Sequence, residues 1–132
     1  MKLLKELLYK LEFDSIIGDT NLMISSIQCN SKEVNSTSLF VAISGKKNNG
    51  HNFISKAIKM GAITIVCERL PKKNQSDITY IKVSNSSIAL GVLASNFFNN
   101  PSKKIKLIGV TGTNGKTSTV YSLFSLFRKL NI

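Results

Sequence analysis

Ile105-Lys106-Leu107-Ile108-Gly109-Val110-Thr111-Gly112-Thr113-Asn114-Gly115-Lys116-Thr117-Ser118 is the stretch on which the fold turns. Ile105 to Val110 reads as a β-strand, and Thr117 to Leu130 reads as a helix opening near Lys116. A phosphate-binding loop needs what lies between. Gly112 and Gly115 let the backbone curl with its N–H groups inward, and the helix start adds the positive end of its dipole. Lys116 reaches outer phosphates, and the Thr117 hydroxyl is placed to hold Mg²⁺. The strict spacing wants a glycine where Val110 stands, flanked here by Gly109 and Gly112. The succession of strand, turn and helix therefore carries the phosphate reading over that of an ordinary glycine turn with a solvated lysine.

Upstream, Leu3, Leu4, Leu7, Leu8 and Leu11 recur at helical spacing with charges opposite, which predicts an amphipathic helix over residues 2–12. After the Gly18-Asp19 turn, Leu22 to Gln28 alternates weakly as a strand. A polar loop, Asn30 to Ser38, leads into the apolar run Leu39 to Ile43, a buried strand. A second polar loop, Ser44 to Asn52, has Gly45 and Gly50 bracketing Lys46, Lys47, Asn48 and Asn49. Its lysines suit a diphosphate, or equally a solvated pair. A helix follows from about Phe53 to Met60, with Gly61 where a C-cap belongs. Ile63 to Cys67 and Tyr80 to Val83 read as strands. Ser86 is the expected cap of a helix from Ser87 to Phe98, which ends at Asn99-Asn100-Pro101. Alternating strands and helices define an α/β class. The boundary at Pro101 predicts two domains, 1–100 and 101–132. No repeat is visible.

The chain has 132 residues, 42% of them hydrophobic and 19% charged, enough apolar material for a packed core. Eighteen Lys and Arg against seven Asp and Glu leave +11, which draws the protein toward anions. Only Arg69 and Arg128 are arginines, whereas base readout favours Arg. Lys, Asn and Ile fill a third of all positions, as an AT-rich coding sequence would produce. No nucleic-acid-binding signature is present, so nucleic acid is not the expected partner. Cys29 and Cys67 lack metal-ligand or disulfide-framework spacing. Lys5, Glu6 and Lys10 interrupt any signal-peptide core, and the apolar run Ala62 to Cys67 is far short of a membrane span. A soluble cytoplasmic protein without membrane partners is expected. The single histidine, His51, has no accompanying nucleophile pattern and is expected to pack at a helix entry rather than to act in catalysis.

Gly109-Val110-Thr111-Gly112-Thr113-Asn114-Gly115-Lys116-Thr117 strongly resembles the ATP loop of the Mur ligases, which build the peptidoglycan stem peptide on a UDP-sugar. Asn30-Ser31-Lys32, Ser38-Leu39-Phe40-Val41-Ala42, Asn49-Gly50-His51 and Gly61-Ala62 resemble, in the same order, the family's upstream motifs. The likeness runs from Ile27 onward. Within the family it is greatest to the branch that adds the third residue of the stem; the alternatives are the branch that adds the terminal dipeptide, or a stand-alone or inert UDP-sugar-binding remnant without catalysis.

The resemblance implies a small N-terminal UDP-sugar-binding domain followed by the first strand, phosphate loop and helix of an ATPase-type central domain. The implied chemistry is ATP-dependent amide formation on UDP-N-acetylmuramoyl-L-Ala-D-Glu through an acyl phosphate, with ATP and Mg²⁺ required. Gly112, Thr113, Asn114, Gly115, Lys116, Thr117 and Ser118 would bind ATP, and Thr117 would hold Mg²⁺ through the nucleotide. Cys29, Ser31, Lys46, Lys47 and Asn48 would line the UDP-substrate site. The family's acid and arginine are replaced by Asn30 and Lys32, which predicts a less firmly held loop. No catalytic residue, and none that selects diaminopimelate or lysine, is expected within these 132 positions. With a single βα unit after Pro101, the chain is expected to be the N-terminal part of a longer enzyme and inactive alone.

Overall fold

The computed structural model describes residues 1–45 and 49–131, which form two compact units, Met1–Pro101 and Ser102–Ile132. In the first, β1 (Lys2–Leu3) runs into a single helical turn, α1 (Leu4–Leu7), and β2 (Ser15–Ile17), β3 (Met23–Ile24), β4 (Ser26–Gln28) and β5 (Ser38–Val41) follow. A 3₁₀ turn (Gly50–Phe53) enters α2 (Ile54–Lys59), followed by β6 (Ala62–Cys67), β7 (Thr79–Lys82) and α3 (Ser86–Phe97). Five strands make one sheet in the order β2-β7-β6-β5-β4. β4 to β7 are mutually parallel, while β2 closes the edge antiparallel to β7.

Alternation along the strands divides the core between two faces. Leu39, Val41, Val66 and Ile81 pack with Leu4, Leu7 and Leu93, whereas Phe40, Ile65, Cys67 and Tyr80 pack with Ile54 and Ala57. Helices thus cover both sides. At the first of these faces buried Asn96 donates to the carbonyls of Leu7 (2.8 Å) and Tyr9 (2.6 Å), tying α3 to the N-terminal segment.

Three sequence-based expectations need correction here, and one strand is new. The helix over residues 2–12 shrinks to one turn, because Lys2 and Leu3 pair antiparallel with Ile24 and Met23 and Lys10 takes a left-handed φ of 60°. Its leucine periodicity nonetheless marks burial, with Leu4, Leu7 and Leu11 in the core. The strand over Leu22 to Gln28 is split at Ser25, whose N–H goes instead to the Thr37 carbonyl at 3.1 Å. The strand β2 has no counterpart among the sequence expectations. The cap of α3 is Asn85, whose Oδ1 accepts from the N–H groups of Ser87 and Ile88 (both 3.0 Å), and Ser86 is the first helical residue.

In the second unit a 3₁₀ turn (Pro101–Lys104) begins just before the boundary, and α4 spans Lys116–Lys129. The expected strand Ile105 to Val110 is absent: a strand exists only where a neighbour completes its ladder, and no described strand pairs with this segment. Lys106, Ile108 and Val110 still line one groove with Val120, Leu123 and Phe124. Alternate residues therefore face the helix, as in a strand packed under its following helix. Val120, Tyr121, Phe124 and Leu126 of α4 are exposed. No described helix is long and apolar enough to cross a membrane.

Candidate functional site

The carboxyl ends of parallel strands are where open α/β sheets present ligands. At the ends of β4 and β5 lies a cleft of about 430 Å³, lined by Cys29, Ser31, Lys32, Gly45, Phe53 and Lys56 among others. Two lysines and no carboxylate line it, so the field favours an anion. Cys29 and Ser31 stand together in this wall, as the sequence places them. Lys46, Lys47 and Asn48 lie outside the described residues. Phe53 and Lys56, one helical turn apart at the entry of α2, are cleft residues that sequence reasoning missed; their spacing of three was the available signal.

The turn after β4 is closed by Asn30, which stands where the family has an acid. Asn30 Oδ1 accepts from the N–H of Lys32 (3.1 Å), its amide donates to Glu33 Oε1 (2.8 Å), and its carbonyl accepts from the N–H of Glu33 (3.1 Å). An Asx turn requires only the side-chain oxygen that asparagine retains.

The opposite wall begins at Ser44. Gly50 closes this loop against β5: a Cβ there would lie 2.6 Å from the Ile43 nitrogen and 2.8 Å from its oxygen, and the Gly50 N–H donates to the Ile43 carbonyl at 2.8 Å. Ser44 and Asn49 form an isolated antiparallel bridge. His51 Nε2 accepts from the backbone N–H groups of Glu68 (3.1 Å) and Arg69 (3.2 Å), so Nδ1 carries the proton and donates it to Asn49 Oδ1 at 2.9 Å. Burial, reinforced by Arg69, lowers the His51 pKa and keeps this ring neutral. Its place is the helix entry, where it joins Asn49 to the backbone of Glu68 and Arg69.

Glu68 completes the frame and was missed from sequence. Its Oε2 accepts from Ser44 Oγ (2.8 Å), and its Oε1 accepts from the N–H (3.0 Å) and the hydroxyl (2.8 Å) of Ser86. These bonds, the Ser86 N–H foremost, hold the carboxyl down to about 2. Its partners lie 18 and 24 positions away, beyond any local motif. Cys67 beside it is buried, which pushes its thiol up to about 11.

In the second unit, Gly112 (φ 151°) and Gly115 (φ 77°) turn the chain through bends at 112–115 into α4. Gly115 is the N-cap in the left-handed region, and no side chain caps the helix. The N–H of Thr119 takes the Gly115 carbonyl at 2.9 Å, so the amides of Lys116, Thr117 and Ser118 have no carbonyl within the helix to receive them. Lys116 donates its ammonium to the Gly112 carbonyl. Three unspent amides, an ammonium and the exposed Thr117 hydroxyl form a donor set suited to phosphate oxygens, with the hydroxyl open to a cation carried by them.

A parallel α/β fold with an anion-favouring cleft at its strand ends, followed by a glycine-lysine loop at a helix start, is the class of protein that fold and site define. The family model described as "Mur ligase family, catalytic domain" matches residues 23–98, and the chain belongs to the Mur ligase family. It is 47% identical over 128 residues to the UDP-N-acetylmuramoyl-L-alanyl-D-glutamate–2,6-diaminopimelate ligase of Cytophaga hutchinsonii, covering 96% of this chain and 26% of that one. Identity to the enzyme of the same name from Clostridium tetani is 44% over 128 residues, again 96% of this chain and 26% of the relative. Among solved structures, MurF from Acinetobacter baumannii superposes with TM-score 0.66 at 25% identity, over 97% of this chain and 28% of that one. MurF from Thermotoga maritima in complex with ADP superposes with TM-score 0.53 at 34% identity, over 79% and 23%. The chain spans about a quarter of the length of the curated relatives it matches.

Proposed function

We propose that the chain supplies the UDP-substrate domain and the ATP loop of a cytoplasmic ligase that adds the third residue to UDP-N-acetylmuramoyl-L-Ala-D-Glu. The observation that carries the reading is the cationic cleft at the ends of β4 and β5, in a chain whose Gly112–Ser118 segment leaves its helix-start amides unspent. Identity of 44–47% to relatives named for diaminopimelate addition supports that branch over the dipeptide-adding one, whose structures match at 25–34%.

Cys29 and Ser31 bind the UDP-substrate, a role that family likeness extends to Lys46, Lys47 and Asn48, and Lys32 and Lys56 add positive charge near its diphosphate. Gly112 to Ser118 wrap the ATP phosphates, and Lys116 exchanges the Gly112 carbonyl for phosphate oxygens, which accept more strongly. Thr117 would offer its hydroxyl to a Mg²⁺ carried by the phosphates. When bound, ATP supplies the γ-phosphoryl group that converts the substrate carboxylate into an acyl phosphate, from which the incoming amine displaces phosphate to form the amide. The amino-acid site and the general base for the amine lie in the remaining three-quarters of such an enzyme, so the chain by itself does not turn over.

Calorimetry of the 132-residue chain with UDP-N-acetylmuramoyl-L-Ala-D-Glu, and separately with Mg-ATP, tests this. The UDP-linked dipeptide binds, and Mg-ATP binds weakly or undetectably to a loop without its sheet. Absence of heat with the UDP-linked dipeptide, alongside binding of RNA or DNA oligonucleotides with a steep salt slope, would overturn it.

A further inference from the structure

The ends of three parallel strands converge on one carboxylate. Ser44 follows β5, Glu68 follows β6, and Ser86 opens α3 after β7; Glu68 takes hydrogen bonds from both serines. Its oxygens divide the work. Oε1 holds the backbone and hydroxyl of Ser86, a fixed point because α3 is anchored in the core through Ala89 and Leu93. Oε2 reaches Ser44, the first stem of the loop whose Gly45 lines the cleft. The second stem is tied to the same place, since the N–H groups of Glu68 and Arg69 hold His51, which holds Asn49. Both stems therefore hang on residues 68 and 69.

Neither the Glu68 carboxylate nor Ser44 lines the cleft, so the carboxylate acts on a ligand through Ser44 and the adjoining Gly45, which does line it. The hydroxyl of Ser44 is exposed to water on its other side, and without the carboxylate nothing described would hold it. A charged acceptor makes a stronger bond than water does, and the hydrogen bonds that lower the Glu68 pKa keep that acceptor charged at every physiological pH.

We infer that Glu68 is a positioning residue for the UDP-substrate site, fixing the Ser44-Gly45 stem of the cleft through Ser44 and thereby setting affinity for the UDP-linked sugar. The inference rests on the cleft being that site.

The test measures affinity of the full chain for UDP-N-acetylmuramoyl-L-Ala-D-Glu together with its urea midpoint. Glu68→Ala and Ser44→Ala each weaken binding about tenfold, the loss of one charge-assisted hydrogen bond that orders the wall. The double variant is no weaker than either single one, because both remove the same link. Glu68→Gln, which can still donate to Ser44 and accept from Ser86, restores affinity to near that of the parent. Ser86→Ala lowers the urea midpoint and leaves affinity within about twofold. Ser44→Ala keeps the test alive where Glu68→Ala does not fold. Unchanged affinity in Ser44→Ala, or an equal loss in Ser86→Ala, overturns the inference while leaving the site intact; a parent chain that fails to bind overturns the functional reading beneath it.

Discussion

Lys116 turns its ammonium back onto the carbonyl of Gly112, four residues earlier in the loop. The contact spans the bend that the two positive-φ glycines create, just before a helix start that no side chain caps. A polyphosphate brings acceptors stronger than that carbonyl, so the lysine has a partner to leave and a better one to reach.

Grafted onto the remaining part of the Cytophaga hutchinsonii relative, this chain should support ligation, and Lys116→Ala should lower turnover by at least about 10²–10³-fold, as loss of a key electrostatic stabiliser does. Binding of the UDP-linked dipeptide, measured by calorimetry, should be unaltered. Ligation within a factor of three of the parent would contradict the loop's role.

The two thiols differ sharply. Cys29 is exposed and lines the cleft, whereas Cys67 is buried and resists ionisation. A maleimide reagent at pH 7.5 should modify one thiol per folded chain, at Cys29 by peptide mapping, and two in urea. Saturating UDP-N-acetylmuramoyl-L-Ala-D-Glu should slow the first reaction at least several-fold; an unchanged rate would place the ligand elsewhere.

Acid should weaken the fold in two stages of the same sign. His51 is held neutral with a lowered pKa, so the unfolded chain takes up its proton first, and stability falls as pH drops below the ordinary value of 6.5. Glu68, held near 2 against an ordinary 4.5, contributes stability that is whole above 4.5 and is lost as pH falls toward 2. Urea midpoints at pH 7.5, 5.5 and 3.5 should decline in that order, and Glu68→Gln should flatten the lower step alone. A midpoint that rises toward pH 5.5 would contradict the assignment of His51.

Gly50 has no room for a methyl group beside the Ile43 backbone. Gly50→Ala should cost about 1–3 kcal/mol, the range for forced overpacking, read as a lowered urea midpoint with an unchanged slope. It should weaken UDP-substrate binding as well, because the displaced segment is the cleft wall. A fully stable variant would mean that the wall yields without cost.

Much of the sheet is legible in the chain because its strands are continuous apolar or β-branched runs: Leu39 to Val41 and Thr64 to Cys67 are buried on both faces and need no partner's sequence to be recognised. Where the outcome depends on a distant strand, local reading fails. Lys2 and Leu3 leave the helical pattern only because Met23 and Ile24 are there to pair with them, and Ile105 to Val110 stays unpaired for want of neighbours. The phosphate loop is visible as a motif because its chemistry is local. Cys29 and Ser31 become cleft residues through family likeness, whereas Glu68 is invisible as a functional candidate because its bonds to Ser44 and Ser86 exist only after three strands have aligned.

The oily side chains that α4 leaves in water have a practical cost. Val120, Tyr121 and Phe124 share one face of the helix and present a sticky seam, and self-association of the purified polypeptide should start there. Shortening the polypeptide to residues 1–101 should therefore yield a better-behaved, more concentrated sample, with the cleft at the ends of β4 and β5 and its buttress intact.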